Sequence, residues 1–489
     1  MKIKKSYIHF IIGLAIMIVF RFIPAGLLPN VTEVGMQIIG IFIGTIYLWT
    51  TIDPTVGSLT CIAMICFSDY ASASDVIVSC FGNATVVQMF FLMIYMGALT
   101  NRRLTLYIGR WIMTRKMVEG RPWVFTTIIL VGSFLMAAFV SPFAPVFLFW
   151  PILYGVFDDV GYKKTDKYPR LMTHAVVLAC LVGFPVPPYM SNGLALLGNY
   201  RGLLANYETL AVMDGVTISN ALYCVFTVVM GLILIGSIVL VMRFVFKPDV
   251  KPLEDVTIEM LNKNPLPPMD MSQKICGISL VIFIAIMLLP SIFPNAPVLS
   301  FLNNNSYALG IPLVIVLSLL KFDDSPVLNF SEVMGKEFAW PTYWLCTSAI
   351  LLGSVLTNEA TGITAFLNTV LSPLFTGMSV MTFSVILLVV TVVLTNICNS
   401  LVIGMILQPV VLTYCATASV NPAPMITLLI FTVLLSASVT PAASPFAAML
   451  FGNKEYLTSG EVYKYSLTYV VVELLLIIVI GIPLVNLLL

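Results

Sequence analysis

The chain has 489 residues, of which 59% are hydrophobic and 10% are charged. A soluble domain carries about 25% charged residues, so this composition excludes a soluble enzyme and a disordered protein. The balance of 24 Lys and Arg against 23 Asp and Glu leaves no basic surplus, which excludes a nucleic-acid-binding protein. The composition therefore predicts an all-α polytopic membrane protein.

Apolar runs, taken in chain order, predict about 11 transmembrane helices, because a helix needs about 20 mostly apolar residues to cross a bilayer. The candidate runs lie near 8–28, 35–52, 55–68, 81–100, 171–189, 215–245, 275–293, 307–320, 340–357, 424–440 and 465–487. The first run has no A-x-A cleavage site, and we interpret it as a membrane helix rather than a signal peptide.

Two further apolar stretches, 123–156 and 378–412, are too long for one crossing and are interrupted near their middle. The interrupting residues are Ser141, Pro142 and Pro145 in the first stretch, and Thr395, Asn396, Asn399 and Ser400 in the second. We interpret the stretches as re-entrant hairpins, 122–157 and 376–414. With the N-terminus inside, every Lys and Arg except Arg21 and Arg201 then lies on the inner side, as the positive-inside bias favours. Irregular backbone at membrane depth needs protein or a water-filled cavity around it, so the hairpins predict a buried polar site.

Short sequence matches recur in the same order on both sides of the charged, proline-rich segment 247–274. The matches pair Leu99-Thr100-Asn101 with Leu356-Thr357-Asn358, Pro151 with Pro409, Pro187 with Pro441, and Gly198-Asn199 with Gly452-Asn453. They predict a first transmembrane helix (1–30), a first repeat (31–246), a cytoplasmic connector (247–274) and a second repeat (275–489). The predicted topology inverts the two repeats, and interrupted segments at matching positions of inverted repeats indicate a transporter binding site.

Each half also contains a second, proline-rich break, at 184–192 and at 438–445. Proline lacks an N–H group and clashes with the preceding turn, so helices are expected to end here. The N-terminus of a following helix attracts anions, and unwound carbonyl groups can bind a cation. We expect no Lys or Arg in the membrane core near these breaks. An anion would then be held by helix dipoles, backbone amides and Ser or Asn side chains.

Residues from about 30 to 489 resemble the divalent anion/sodium symporter family of the ion transporter superfamily. The resemblance is clearest from Asn399 to Pro409, and from Ala443-Ser444-Pro445 to Phe451-Gly452. Members of this family have eleven crossings, two opposed hairpins with Ser-Asn-Thr tips, and inverted repeats. The tips of this chain read Ser141-Pro142-Phe143 and Asn399-Ser400-Leu401, so both tip threonines are replaced. The resemblance implies a transporter rather than an enzyme, and a homodimer.

The resemblance also implies which residues form the site, since the family's tip side chains bind substrate carboxylates and nearby oxygens bind Na⁺. The implied substrate-binding residues are Ser141, Ser191, Asn192, Asn399, Ser400 and Ser444. The oxygen-rich second half implies one sodium site, because hard cations need several oxygen ligands, and its ligands would be Thr395, Asn399, Ser400 and the Ala443 carbonyl. The replaced threonines, now Phe143 and Leu401, indicate an anion with an apolar portion or with one charge fewer than a dicarboxylate.

Several of these residues also have structural interpretations. Polar side chains at 395–400 can form hydrogen bonds between membrane helices, and the prolines of the first tip can produce a simple kink. Glu473, in the last helix, is interpreted as a proton relay, as an interfacial partner of Lys464, or as a capped internal contact. We interpret His9 and His174 as polar residues at the membrane interface, and the nine cysteines as small apolar helix residues.

The sequence thus predicts sodium-coupled symport of a small organic anion, a carboxylate, by alternating access in the plasma membrane. The expected partners are the anion, Na⁺ and lipid, with no other cofactor. A proton-coupled transporter or an anion exchanger of the same fold stays open as an alternative. A channel would need a continuous polar lining, and a membrane-embedded enzyme would need a catalytic motif, which the sequence does not contain.

Overall fold

The structure is a computed structural model that describes residues 5–489 apart from 115, 116, 118, 258, 259, 261–266, 294, 323, 324, 357, 376, 398 and 442. The described residues form α-helices and one short β-hairpin, in which Lys321–Phe322 pairs antiparallel with Ser325–Pro326. The predicted all-α fold is therefore confirmed.

The helices of the first part of the chain are α1 (Lys5–Val19), α2 (Glu33–Thr51), α3 (Pro54–Cys66), α4 (Ala73–Phe81), α5 (Ala84–Asn101), α6 (Leu104–Met113), α7 (Pro122–Phe139), α8 (Ala144–Asp159), α9 (Lys167–Gly183), α10 (Ser191–Leu204), α11 (Glu208–Ala211) and α12 (Asn220–Leu240). Those of the second part are α13 (Met271–Ile292), α14 (Pro297–Asn304), α15 (Gly310–Leu319), α16 (Phe330–Lys336), α17 (Trp340–Leu356), α18 (Ile363–Phe375), α19 (Val380–Thr395), α20 (Ser400–Ala418), α21 (Ala423–Leu435), α22 (Pro445–Gly452), α23 (Ser459–Leu476) and α24 (Ile482–Leu488). Two π-helical segments, Val241–Phe246 and Ile477–Gly481, directly follow α12 and α23.

Seven of the described helices are long and apolar enough to cross a membrane. The number becomes eight if α16 and α17, which meet at an angle of 81°, form one bent span. Shorter apolar helices at 6–22, 55–66, 306–319, 380–395 and 423–435 coincide with several of the predicted runs. This pattern is that of a polytopic membrane protein, while the exact number of crossings and the re-entrant hairpins stay predictions.

The order of the helices recurs along the chain. The series α5, α7, α8, α9 and α10 is repeated by α17, α19, α20, α21 and α22, and corresponding helices begin 254–258 residues apart. The sequence matches lie at equivalent places in this series: Asn101 ends α5 and Asn358 follows α17, while Thr357 lies outside the described residues. This order supports the predicted duplication, and the inverted orientation of the repeats stays a prediction.

The two matched asparagines make equivalent contacts across the halves. The Asn199 side chain, in α10, donates to Gln408 Oε1 of α20 at 2.6 Å, and the Asn453 side chain, after α22, donates to the Tyr154 hydroxyl of α8 at 2.6 Å. Each half therefore holds the second arm of the other half's interrupted stretch. A shared hydrogen-bonding role explains why the Gly-Asn pair occurs twice.

Helices α9 and α21 lie at the centre of the protein. All thirteen residues of α21 are buried, as are nearly all residues of α9, which is the pattern of helices that are apolar on every side. The end of α9 approaches α7 closely, because a Cβ at Gly183 would lie 2.4 Å from the Phe134 carbonyl oxygen. These two central helices lead directly into the two proline-rich breaks and so fix the breaks in the core.

Candidate functional site

The two tips and the two proline-rich breaks line one cavity of about 710 Å³. Its polar lining includes five of the six residues predicted to bind substrate: Ser141, Asn192, Asn399, Ser400 and Ser444. The side chain of Ser191, the sixth, lies outside the described part of the chain, and its backbone begins α10 next to the cavity. Segments separated by up to about 300 residues of sequence are thus brought together.

Four helices begin at this cavity. They are α8 and α20, which follow the two tips, and α10 and α22, which follow the two breaks. Proline at the first or second position starts α8 and α22, where its missing N–H group costs no hydrogen bond. The positive ends of four helix dipoles therefore point toward one volume, which favours a bound anion.

The second tip is tied to the second break by the Asn396 side chain. Its amide nitrogen donates to the Ser436 carbonyl at 2.8 Å and to a carbonyl of its own helix, and its oxygen accepts from the backbone N–H groups of Ser438 and Val439 at 3.2 and 2.8 Å. The Thr440 hydroxyl donates in return to the Asn396 carbonyl at 2.6 Å. Asn396 therefore holds two irregular segments in a fixed arrangement.

Both second-half helices that begin at the cavity are capped by side chains. Asn399 Oδ1 accepts from the Leu401 N–H at 3.0 Å at the start of α20. The Ser444 hydroxyl accepts from the Ala447 N–H at 3.1 Å at the start of α22 and donates to the Ala437 carbonyl at 2.6 Å. The first turns of these helices are thus partly occupied by the protein itself.

The predicted sodium ligands lie around this capped region. The Thr395 hydroxyl is buried and donates to the Val433 carbonyl at 2.9 Å, which leaves its lone pairs free for a cation. Ser400 and Ala443 are buried near the same junction. Their role as ligands stays a prediction.

Sequence reasoning missed two further hydroxyl groups in this region. The side-chain oxygens of Ser436 and Ser438 are buried and have no hydrogen-bond partner among the described residues. Because buried polar atoms are normally satisfied, these two oxygens extend the set available to a cation. Their signal in the sequence was the Ser436-Ala437-Ser438 segment, which leads into the proline-rich break at 438–445.

The first-half helices begin without a side-chain cap. In the described residues, no side chain accepts a hydrogen bond at the N-terminus of α8, where Phe143 is the capping residue, or of α10, where it is Met190. The Ser141 hydroxyl lies at the cavity, and no hydrogen bond to it is found in this part of the structure. In the first turn of α8, Pro145 has no N–H group and the Val146 N–H donates to the Phe143 carbonyl at 3.1 Å. Among the described residues, the Ala144 amide of α8 and the amides of residues 191–193 in α10 are therefore the ones available to a ligand.

Aromatic rings form the wall beside the first tip. The Phe143 and Phe446 ring centroids are 4.7 Å apart, and those of Phe184 and Phe446 are 5.6 Å apart. Phe143 replaces the tip threonine expected from the family resemblance, and its ring contacts the helix that begins at the second break. The rest of the lining is largely apolar, with methionines at Met89, Met93, Met96 and Met190.

A basic residue that sequence reasoning did not place here also lines the cavity. Arg103 precedes α6 in a left-handed backbone conformation, with φ of 55°, and its side chain is exposed. The acidic Glu337 lines the same cavity. Arg103 was missed because it is nearly forty residues from the first tip and belongs to a run of basic residues that reads as an inner-surface segment.

Two buried titratable residues lie away from the cavity. His174 is 0% exposed, because α9 is enclosed by other helices, and its position at the membrane interface stays a prediction. Glu473 is 2% exposed in α23, and Lys464 forms no ion pair with it among the described residues. His9 is partly buried, and its ring bonds to the Tyr47 hydroxyl at 2.7 Å.

Comparisons with known proteins support a membrane-transporter fold. No curated protein matches the chain. The crystal structure of the YdaH transporter from Alcanivorax borkumensis is similar in fold, with a TM-score of 0.58 and 13% identity over 99% of this chain and 97% of that one. The family described as the sodium:sulfate symporter transmembrane region matches residues 4–489. This match covers nearly the whole chain and confirms the resemblance to divalent anion/sodium symporters, so the protein belongs to the sodium:sulfate symporter family.

Proposed function

We propose that this membrane transporter carries a small organic anion with a carboxylate group, driven by Na⁺. The family is one of Na⁺-coupled anion symporters, and the proposal adds the substrate class and the site. The observation that carries it is the convergence of four helix N-termini on one cavity of about 710 Å³. Helix N-termini bind anions without any need for Lys or Arg.

The anion's charged group is assigned to the first half of the cavity. The N-termini of α8 and α10 are uncapped, so their amides can donate to carboxylate oxygens. Ser141 and Asn192 supply further donors at the same place. Hydrogen bonds to a charged group are shorter and stronger than neutral ones, which compensates for removing the carboxylate from water.

The coupling ion is assigned to the second half. The predicted ligands there are Thr395, Asn399, Ser400 and the Ala443 carbonyl. The buried hydroxyls of Ser436 and Ser438 add two further oxygens to this set. Oxygen-only ligand sets suit hard cations. A bound Na⁺ would add positive charge beside the anion site, so occupation of one site favours occupation of the other.

The size and lining of the cavity favour an organic anion over inorganic sulfate. Sites that enclose organic ligands have volumes of about 300–1,000 Å³ and mostly apolar linings, and this cavity falls within that range. Phe143, Phe184 and Phe446 offer an apolar surface that sulfate has no group to contact. A carboxylate with an aliphatic or aromatic body would use both ends of the cavity.

The mechanism that fits these parts is alternating access. The interrupted stretches would move together as one body against a scaffold, exposing the cavity to each side in turn. By the family resemblance the scaffold forms a homodimer. We place the protein in the plasma membrane with its N-terminus inside, because that orientation keeps the basic segments on the cytoplasmic face.

Uptake by the purified full-length protein in liposomes tests this proposal. Radiolabelled sulfate, succinate and benzylsuccinate would each be offered under an inward Na⁺ gradient and under a matched K⁺ gradient. We expect Na⁺-dependent uptake of benzylsuccinate or succinate that exceeds sulfate uptake at least tenfold. Uptake of sulfate alone would contradict the organic-anion assignment, and equal uptake with K⁺ would contradict sodium coupling.

A further inference from the structure

A column of buried polar groups lies outside the cavity, where α9 contacts α23. Three of its atoms have no hydrogen-bond partner among the described residues: Glu473 Oε2, the Tyr469 hydroxyl and His174 Nδ1. Their side chains are 2%, 1% and 0% exposed. Buried polar atoms without partners are rare in native structures, and three in one place need a common explanation.

The geometry connects these groups. The His174 ring stacks on the Tyr469 ring with centroids 5.9 Å apart and 19° between the planes, and its Nε2 lies 2.9 Å from the Ser466 hydroxyl. Tyr469 and Glu473 are four residues apart on α23, a spacing that puts their Cβ atoms about 5–6 Å apart on one face. The column therefore runs from His174 through Tyr469 to Glu473.

Both π-helical segments lie beside this column. Ile477–Gly481 begins four residues after Glu473, and Val241–Phe246 ends at Phe246, whose ring centroid is 6.0 Å from that of Tyr469. Segments of π-helix widen the helix locally and occur often at functional sites. Their position here is a second observation, independent of the unpartnered atoms.

No cation neutralises Glu473 among the described residues. The elements packed against α23 are α9, α12, α19, α22 and the following π-helix, and α19, α22 and that π-helix contain no titratable residue. The titratable residues of the other elements near the column are Lys167, Tyr168, Arg170, His174 and Cys180 of α9, Tyr223 and Cys224 of α12, Arg243 of the preceding π-helix, and Glu461, Tyr463, Lys464 and Tyr465 of α23 itself. Lys167 donates to the Phe246 carbonyl, Arg170 pairs with Glu461, and Arg243 lies over the Trp123 ring.

We propose that Glu473 is a proton-binding site and that this transporter moves a proton in addition to Na⁺. An ionised carboxylate at this depth and without a partner is costly, so the sealed column holds Glu473 as the neutral acid. A proton from water joins a carboxylate oxygen before the column closes, and the same proton returns to water when the column opens on the other side. The unpartnered atoms are not hydrogen-bonded to one another, so water that enters the open column carries the proton past His174 and Tyr469 to Glu473, with the Tyr469 hydroxyl as a hydrogen-bond partner of that water.

The helices that form the walls of the column are connected to the segments that are proposed to move during transport. Helix α9 carries His174 and ends at the first break, which lines the cavity, and α19, which precedes the second tip, also packs against α23. Movement of the interrupted stretches would therefore change the walls of the column. This inference goes beyond the sodium-coupled function proposed above and does not depend on which anion is carried.

Infrared spectroscopy of the full-length protein in liposomes tests the charge of Glu473 without any substrate. The difference spectrum of wild type minus Glu473→Gln at neutral pH is expected to contain the C=O stretch of a protonated carboxylic acid. The matched control, Glu455→Gln, removes an exposed carboxylate that pairs with Lys164 and is expected to show ionised carboxylate bands. Ionised carboxylate bands for Glu473 would overturn the proposal.

Proton movement tests the coupling. A pH-sensitive dye inside the liposomes should report acidification during Na⁺-driven uptake of any of sulfate, succinate or benzylsuccinate that the wild type transports. The acidification is expected to be lost in Glu473→Gln, reduced in Tyr469→Phe and unchanged in Glu455→Gln. If Glu473→Gln fails to assemble, Tyr469→Phe, which keeps the stacked ring, decides the outcome. Unchanged acidification in the deciding variant, or none in the wild type, would overturn the proposal.

Discussion

The two tips occupy equivalent places in the chain and line the same cavity, yet they are built differently. The second tip is held by the four hydrogen bonds of the Asn396 side chain, and its helix is capped by Asn399. The first tip has no side-chain cap in the described structure and contacts the second break through Phe143. One half therefore presents fixed oxygens, and the other presents free amide groups beside an aromatic wall.

This difference is the basis for the proposed assignment of the anion to the first half and of Na⁺ to the second. Fixed oxygen atoms suit a cation, which needs several ligands at defined distances. Helix N-termini without a side-chain cap suit an anion, since several of their first-turn N–H groups have no partner within the helix. A duplicated scaffold can thus keep the same helix order while each copy specialises for an ion of opposite sign.

The largest expected effect comes from removing the Asn396 side chain, which holds the second tip against the second break. Asn396→Ala removes four hydrogen bonds and leaves the half-buried Val439 N–H without its partner, at a cost of about 1–3 kcal/mol, while the Ser438 N–H keeps its hydrogen bond to the Ser436 carbonyl. We expect a lower melting temperature in detergent and loss of Na⁺-driven uptake. Asn421→Ala is the control, because Asn421 also accepts from a backbone N–H, that of Ala423, at the start of α21 and away from the cavity. Equal stability of the Asn396 and Asn421 variants would contradict the structural role of Asn396.

A smaller effect, limited to the Na⁺ dependence of uptake, is expected when the capping side chains of α20 and α22 are removed. Asn399→Ala and Ser444→Ala each remove a helix cap, worth about 0.5–2 kcal/mol, together with an oxygen near the predicted cation site. Na⁺-driven uptake should fall severely, with the Na⁺ concentration for half-maximal uptake raised at least tenfold. Ser379→Ala removes a serine cap at the start of α19, and its uptake should stay near that of the wild type. Normal sodium dependence in both variants would remove the second-half site.

At the first tip, a substitution is expected to raise the KM for the transported anion. Ser141→Ala removes a hydroxyl that we propose donates to the carboxylate, and a hydrogen bond to a charged group contributes about 1.5–3 kcal/mol. The KM for the transported anion should rise about tenfold while the Na⁺ dependence stays unchanged. Steady-state uptake at saturating Na⁺ measures this. A change in Na⁺ dependence of similar size would instead place Ser141 with the cation.

The smallest expected effect concerns selectivity. Phe446→Ala removes the ring that contacts both Phe143 and Phe184, and apolar pocket contacts discriminate ligands by about 1–3 kcal/mol. The preference for benzylsuccinate over succinate should fall about tenfold, with succinate uptake little changed. Phe451→Ala is the control, because the Phe451 ring packs against Tyr463 rather than in the cavity. An unchanged preference would show that the aromatic wall does not contact the substrate.

The large features of the fold were predictable from the sequence because they depend on local chemistry. Long apolar runs coincide with helices such as α5, α12 and α17, and the helical structure is interrupted at both proline-rich breaks. Polar residues in the middle of apolar stretches marked Ser141 and Asn399 as cavity-lining positions. In each case the signal lies within a few residues of the feature that it predicts.

Features that depend on distant neighbours were not predictable. Asn396 and Thr395 appear in the sequence as part of one polar cluster, but the fold uses the Asn396 amide as a clamp to segment 436–439. His174 is buried because α9 is enclosed by helices from both halves, and Arg103 reaches the cavity from a separate basic segment. Tertiary packing determines these positions, and a single sequence does not record it.

The proposed assignment of the two ions to different halves is tested most directly by Na⁺ binding in the absence of any anion. Thermal unfolding of the full-length protein in detergent, titrated with NaCl against a choline chloride control, reports this binding as a rise in melting temperature. We predict that Ser141→Ala keeps the wild-type Na⁺ response and that Asn399→Ala loses it. Loss of the response in Ser141→Ala, or its retention in Asn399→Ala, would contradict the assignment of the cation to the second half.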